Sequence, residues 1–184
     1  MKKTAICILL LAFAINTNAQ EKMPTSASGL PKNEVKWNIA STIIFGSVEL
    51  GYEYFLDGHQ SIGAEILIND AFNYGIARKY KDYNTNSFLV SYNYYTGTEN
   101  NDSGLVISPL LKYRTGTYQR SDLDPKINMD SFILGIGAGY KWNYSNKFVF
   151  GPYLNIGRNF SQTVNDEFKT AVEFNAGFDI GYRF

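Results

Sequence analysis

The sequence predicts an all-β protein that forms a closed antiparallel up-and-down transmembrane β-barrel of about eight strands. Apolar and polar side chains alternate strictly over residues 172–184, and residues 1–20 have the pattern of a secretory signal. The 184 residues include 14 Tyr, 13 Phe and 16 Gly, a mixture more typical of β-barrels than of helical domains. Because successive side chains of a strand point to opposite faces, strict alternation gives a strand one apolar face and one polar face.

The N-terminal residues divide the chain into three parts. Lys2 and Lys3 precede an apolar run over residues 5–14, and small residues follow up to a cleavage position near Ala19. The run is too short to cross a bilayer as a helix. We therefore predict a signal peptide over residues 1–19, a flexible periplasmic leader over residues 20–34 and the barrel over residues 35–184.

Composition excludes several classes of function. The 17 basic and 17 acidic residues balance, so no net charge favours a nucleic acid as partner. Cys7, the single cysteine, lies within the predicted signal peptide. The mature chain is then expected to lack disulfides, thiol nucleophiles and thiolate metal sites, and we predict no cofactor.

Eight segments show the two-residue period of a strand. The predicted strands, in chain order, are 36–45, 48–56, 62–69, 88–95, 104–115, 132–144, 148–157 and 172–184. Their apolar series begin at Trp37, Val48, Ile62, Phe88, Leu105, Phe132, Phe148 and Val172. Pro109 and Pro152 do not fit, because proline cannot donate to a ladder. Either local bulges accommodate them or these strand limits are wrong.

The connections between the strands are of two kinds. Those after strands two, four and six are short, whereas polar segments over residues 70–86, 116–128 and 158–169 follow strands three, five and seven. Short turns on one rim and long loops on the other are typical of outer-membrane barrels, with both termini on the periplasmic side. A tight reversal at Gly46 and Ser47 after strand one is the exception.

Aromatic residues of several strands reach the level of the short turns. Such a belt is expected where amphipathic rings lie between lipid and water. The predicted membrane-interface residues are Trp37, Tyr54, Tyr94, Tyr140, Trp142, Phe148, Tyr182 and Phe184.

The polar face of the strands carries acids and bases in equal number. The predicted inward-facing charges are Lys36, Glu49, Glu53, Glu65, Lys112, Arg114, Lys141, Glu173, Asp179 and Arg183. The interior of an eight-stranded barrel is just wide enough for side chains to fill it, so these charges are expected to pair. This favours a packed ionic lumen over an open pore. Glu49, Glu53 and Glu65 would alternatively form an acid/base or cation site, which requires an accessible pocket.

The C-terminal strand resembles that of bacterial outer-membrane β-barrels, which end on Phe after alternating apolar residues. Over residues 35–184 the pattern is similar to the small OmpA/OmpX-type barrels. The resemblance implies an outer-membrane location in a Gram-negative-type bacterium and contact with outer-membrane lipid and lipopolysaccharide. It also implies recognition of the C-terminal strand by the barrel assembly machinery and, as we expect, a monomer.

Three further features each allow a functional and a structural interpretation. Gly135, Gly137 and Gly139 have a spacing of two, which indicates one strand face making room for lumenal side chains rather than a phosphate loop. His59, the single histidine, is expected in a periplasmic turn, away from the outer leaflet where lipid-modifying barrel enzymes act.

The first long loop carries basic and aromatic residues. They are Tyr74, Arg78, Lys79, Tyr80, Lys81 and Tyr83. They fit either a surface ligand such as lipopolysaccharide phosphate or plain solvated loop charges, which we favour.

The sequence therefore predicts a non-enzymatic integral outer-membrane barrel with a structural or surface-interaction role. A lipid-modifying barrel enzyme and a secreted lipocalin-like carrier remain as alternatives. The carrier would have the apolar side chains inside and the charges outside.

Overall fold

The structure is a computed structural model that describes residues 31–70, 82–97, 104–119, 123–145 and 147–184. The predicted signal peptide with its cleavage position near Ala19, most of the predicted leader, and the loop residues Tyr74, Arg78, Lys79, Tyr80 and Lys81 lie outside the described residues.

Within the described ranges the chain is mostly strand, with two short helices. The strands are β1 Asn33–Asn38, β2 Val48–Phe55, β3 Gln60–Ile68, β4 Asp82–Tyr95, β5 Gly104–Gln119, β6 Ile127–Asn128, β7 Ser131–Tyr144, β8 Phe148–Asn159 and β9 Val172–Arg183. The helices are α1 Ile39–Phe45 and α2 Gln162–Phe168. Neither they nor any other helix of the described residues is long and apolar enough to cross a membrane.

Eight of the described strands form a closed wall. The order β4-β3-β2-β1-β9-β8-β7-β5 is completed by pairing of β4 with β5, and all neighbours are antiparallel. β6 lies outside this wall and pairs with β5 through two residues. Pairing of the first and last strands is part of this closure, and beside it the backbone N–H of Phe184 donates to the carbonyl of Asn33 at 2.9 Å. The predicted closed up-and-down barrel is confirmed.

The prediction that strand one continues to Phe45 is wrong. β1 ends at Asn38, whose side chain accepts the backbone N–H of Ser41 at 3.0 Å and so caps α1. Gly46 ends the helix with a positive φ of 68°, and its N–H donates to the carbonyls of Ser41 and Thr42. The alternating apolar residues of this segment fit a strand equally well, so the caps at both ends decide for the helix.

The two rims differ as predicted, and α1 removes the exception. The short-turn rim holds both ends of the barrel and the β2–β3, β4–β5 and β7–β8 turns. The opposite, long-connection rim holds α1 and the connections β3–β4, β5–β7 and β8–β9. β4 and β5 extend further toward this rim than predicted, because polar pairs such as Asn84 with Thr117 continue the ladder.

Both prolines lie within strands, without bulges. The β4–β5 ladder omits two pairs, Pro109 with Tyr92 and the pair next to it, and resumes in the same register at Tyr94 with Ile107. The β7–β8 ladder likewise omits two pairs, one of which is Tyr140 with Pro152. Each proline faces outward and is exposed. A closed barrel thus accommodates proline at the cost of one missing donor toward one neighbouring strand.

The apolar side chains of the wall point outward. Phe174, Phe178 and Ile180 are 47, 36 and 39% exposed, whereas Glu173 and Asn175, on either side of Phe174, are 4 and 6% exposed. The apolar residues continue around the barrel on every strand of the wall and on α1, where Ile43 is 77% exposed. The polar side chains fill the lumen, which is the arrangement opposite to that of a soluble carrier.

Candidate functional site in the barrel lumen

The lumen contains three layers of charge along its axis. The layer nearest the long-connection rim is centred on Arg114, which makes a bidentate pair with Glu173 at 2.6 Å for both bonds. Arg114 also donates to Asp70 at 3.1 Å, and Lys112 donates to the same carboxylate oxygen at 3.0 Å. Ser87 completes the shell of Asp70 at 2.5 Å. Two acids and two bases, all nearly fully buried, neutralise one another here.

The carboxyl group of Asp70 belongs to the β3–β4 connection rather than to a strand. Its burial alone would raise its pKa, but the charges of Lys112 and Arg114 outweigh that effect. The pKa of Asp70 therefore lies below its usual range, and the group stays ionised at neutral pH.

An apolar layer separates this cluster from the middle of the lumen. Leu67, Leu89 and Leu110 pack together and are 3, 3 and 6% exposed. They alternate along their strands with the polar residues above and below. A small cavity of about 20 Å³ beside this layer is lined by Lys112 and by Asn175.

The middle layer holds more acids than bases. Lys36 lies 2.5 Å from Glu65 and 3.9 Å from Asp179. Glu49 is bound instead by neutral groups, since it accepts the hydroxyl of Tyr153 at 2.7 Å. A cavity of about 70 Å³ adjoins this layer, which is room for a few water molecules.

The third layer lies at the short-turn rim and is again neutral. Glu34 accepts from Arg183 at 2.8 Å and from Lys141 at 2.7 Å, and Lys141 also donates to Glu53 at 2.8 Å. The guanidinium of Arg183 lies 4.4 Å from the ring centroid of Phe55. The cations are therefore held between carboxylates and an aromatic face.

This geometry gives the lumen the chemistry of a packed core. The layers at the two rims hold matched charges, and the two cavities described between them are small. No group of three acids, histidines or cysteines in the described ranges has the geometry to hold a metal ion. Buried pairs of this kind resist the removal of one partner, because the other is left charged and unpaired.

Sequence reasoning missed two members of these layers. Glu34 falls in the predicted leader, although β1 begins at Asn33, and continuing its alternation backward would have identified it. Asp70 falls in a predicted loop, and the strand period places it on the outside. The positive φ of 57° at Asn69 turns Asp70 inward, and no residue pattern signals that turn.

The residues with alternative interpretations lie in structural positions. His59 is at the short-turn rim, where its backbone N–H donates to Asp57 at 2.7 Å. Gly135, Gly137 and Gly139 lie within β7. A Cβ at Gly137 would overlap the side-chain amide of Asn155, so this glycine makes room for a lumenal side chain.

The predicted interface aromatics lie on the outer face. Trp142 stacks on Phe150 with ring centroids 5.6 Å apart, and Phe148 meets Tyr182 at 5.4 Å. Trp37 lies at the other end of β1, where its indole nitrogen donates to Thr42 at 2.9 Å. The remaining predicted residues Tyr54, Tyr94 and Tyr140 are exposed, and Phe184 is half-buried.

The same fold is found in a solved structure, the crystal structure of the N-terminal β-barrel domain of Pseudomonas aeruginosa OprF. The two share 18% sequence identity with a TM-score of 0.57, over 83% of this chain and 95% of that domain. At this identity the likeness concerns the fold. No protein-family model and no curated protein matches the sequence significantly.

Proposed function

We propose that the chain is an integral outer-membrane barrel that serves a structural or surface-interaction role and has no open pore and no enzymatic activity. The observation that carries this proposal is the orientation of the side chains. An apolar outer surface around an ionic lumen is stable in lipid, whereas in water it would expose large hydrophobic side chains on all sides.

The absence of a pore is inferred from the filling of the lumen. The Arg114 layer fills the lumen near the long-connection rim, and below it Leu67, Leu89 and Leu110 pack together on β3, β4 and β5. Beyond the Arg114 layer, Tyr118, Met129 and Val164 form a buried cluster between β5, the β5–β7 connection and α2. This cluster adds buried side chains at the long-connection end of the barrel.

The role of a scaffold is inferred from the same cluster. It holds α2 and residues 127–129 of the β5–β7 connection on the end of the barrel, so that this part of the surface is folded. A surface that is ordered before binding suits recognition of a partner outside the cell.

The two alternatives lack such support. His59 lies at the rim opposite to the one where a lipid-modifying enzyme would need it, and its ring Nδ1 lies 3.2 Å from the carbonyl of Tyr95. A lipocalin-like carrier requires an apolar interior, whereas this lumen is lined by charges.

Fractionation tests the membrane location. Expressed with its N-terminal signal in a Gram-negative host, the protein is expected in the outer-membrane fraction, and its gel mobility is expected to change on boiling. Reconstituted in planar bilayers, it is expected to give no stepped conductance. A soluble protein without heat-modifiable migration would contradict the location, and regular conductance steps would contradict the closed lumen.

A further inference from the structure

One charged side chain interrupts the apolar outer face of the wall. Among the outward-facing strand residues whose side chains the structure describes, Arg158 alone carries a charge. It lies on β8, paired laterally with Leu134 of β7 and Val172 of β9. These neighbours are apolar and are 58 and 42% exposed. A cation is thus set directly into the surface that would face lipid.

The position along the strand places this charge at the edge of the apolar band. β8 ends one residue later, at Asn159, on the long-connection rim. A lipid-facing cation is strongly destabilising at the bilayer midplane but is tolerated near the interface. Arg158 is therefore suited to the level of the lipid headgroups and not to the level of the acyl chains.

Among the described residues, the guanidinium has an aromatic partner. Its central carbon lies 5.7 Å from the ring centroid of Phe160, and the described part of the chain offers it no ion pair. A cation–π contact with the ring leaves the N–H donors of the guanidinium available. The acidic Asp166 in the same connection accepts a hydrogen bond from Gln162 at 2.9 Å.

A second exposed cation lies in the same β8–β9 connection. Lys169 follows α2 and precedes Ala171 by two residues, and the carbonyl of Ala171 accepts the backbone N–H of Asn159 at 2.7 Å. The connection therefore returns to the wall beside the residue that follows Arg158. A guanidinium at this edge of the apolar band suits a phosphate group, which it binds with two parallel hydrogen bonds, and Lys169 adds a further positive charge to the same connection.

We infer that Arg158, beside the ring of Phe160, binds the phosphate of a lipid in the leaflet next to the long-connection rim. This inference rests on the proposed function, because the site exists only if β8 crosses a bilayer. The rim lies opposite the two ends of the barrel, Asn33 and Phe184, so in an outer membrane it meets the leaflet that carries lipid A. Diphosphoryl lipid A is therefore the expected source of the phosphate, and its acyl chains would lie along Leu134 and Ile156.

Refolding into vesicles of defined composition tests the inference. The full barrel is refolded into phosphatidylcholine vesicles alone, with diphosphoryl lipid A, or with phosphatidylglycerol, and its thermal midpoint is read from heat-modifiable migration. Diphosphoryl lipid A is expected to raise the midpoint of the wild type. Arg158→Gln is expected to lose most of that rise and about tenfold in apparent lipid affinity, the effect of removing one charge-assisted hydrogen bond.

Two variants separate the phosphate site from a general loss of charge. Arg158→Lys keeps the charge but not the planar fork, so we expect it to retain part of the rise. Lys126→Gln removes an exposed cation from the β5–β7 connection and is expected to retain all of it.

The outcomes distinguish the site from the fold. A midpoint rise in Arg158→Gln equal to that of the wild type overturns the inference, and a rise that depends on Arg158 only with phosphatidylglycerol overturns lipid A as the source. Failure of the wild type to insert into phosphatidylcholine alone would instead contradict the proposed function.

Discussion

Arg114 is the residue on which the upper part of the lumen depends most. It is buried and contacts the carboxylates of both Asp70 and Glu173. Replacing it with Met keeps much of the volume but leaves two buried acids with Lys112 alone. We expect Arg114→Met to lower the free energy of unfolding by about 3–5 kcal/mol, as when one partner of a buried ion pair is removed. Urea titration of the barrel refolded in vesicles measures this change.

The matched control is an exposed cation on the same rim. Lys126→Met changes the net charge equally but removes no buried partner, so we expect a change within about 0.5 kcal/mol. Equal effects of the two substitutions would show that charge, and not the buried cluster, determines the stability.

Asp70 gives the same cluster a pH dependence. Its pKa is held below the unfolded value, so the stability that it contributes is complete above about pH 4 and is lost as the pH falls further. We expect Asp70→Asn to be less stable than the wild type at pH 7 and to lose less stability between about pH 4 and pH 2. Unfolding midpoints across this range measure both effects, and identical slopes would contradict the prediction.

At the scale of elements, α1 depends on the side chain of Asn38, the last residue of β1, which contacts the neighbouring strands β2 and β9. The side chain of Asn38 caps α1, donates to Glu49 at 3.0 Å and lies against Gly177 of β9. A Cβ at Gly177 would overlap the amide group of Asn38. The side chain of Asn38 can therefore cap α1 only because residue 177 is a glycine. The capped helix in turn continues the wall where β1 ends.

A double-mutant cycle tests this dependence. Asn38→Ala is expected to cost about 2–3 kcal/mol through loss of the cap and of a buried hydrogen bond. Gly177→Ala is expected to destabilise the wild type by steric overlap, but to cost little in the Asn38→Ala background, where the obstructing amide is gone. Unfolding free energies of the four proteins measure the coupling, and strictly additive costs would contradict it.

The elements also show how far the sequence period reaches. Alternation locates the wall strands because one face of each is buried against the lumen, which penalises a shift by one residue. It fails at residues 39–45, where Ile39, Ile43 and Phe45 are compatible with both the strand and the helix period. There the caps Asn38 and Gly46 determine that the segment is a helix. A cap depends on the conformation of a single residue, so the period of the apolar residues does not reveal it. Alternation also fails to predict where β4 begins and β5 ends, for another reason. Beyond the apolar band both faces of these strands carry polar residues, so no apolar period remains.

At the scale of the whole molecule, the layering of the lumen follows from the closure of the sheet. Strands β1, β2 and β9 bring Glu34, Glu53 and Arg183 to the short-turn rim, and β5 with β9 brings Arg114 and Glu173 to the other. Parity along a strand predicts that such residues face inward. The pairing partners depend on the register between strands, which a single sequence does not contain, and the inward turn of Asp70 depends on one backbone angle.

The outer surface as a whole is the feature that separates a membrane barrel from a soluble one. Ile136 lies near the middle of β7, faces outward and is 52% exposed. In water, replacing an exposed Ile with Lys is nearly neutral, whereas at the middle of a bilayer the charge costs about 2–4 kcal/mol, which is the loss of stability that we expect for Ile136→Lys.

Thr117 faces outward on β5 beyond the apolar band, so Thr117→Lys is the matched control and should change stability by less than about 1 kcal/mol. Urea titrations in phosphatidylcholine vesicles compare the two variants. An Ile136→Lys barrel as stable as Thr117→Lys would mean that the apolar band does not face lipid.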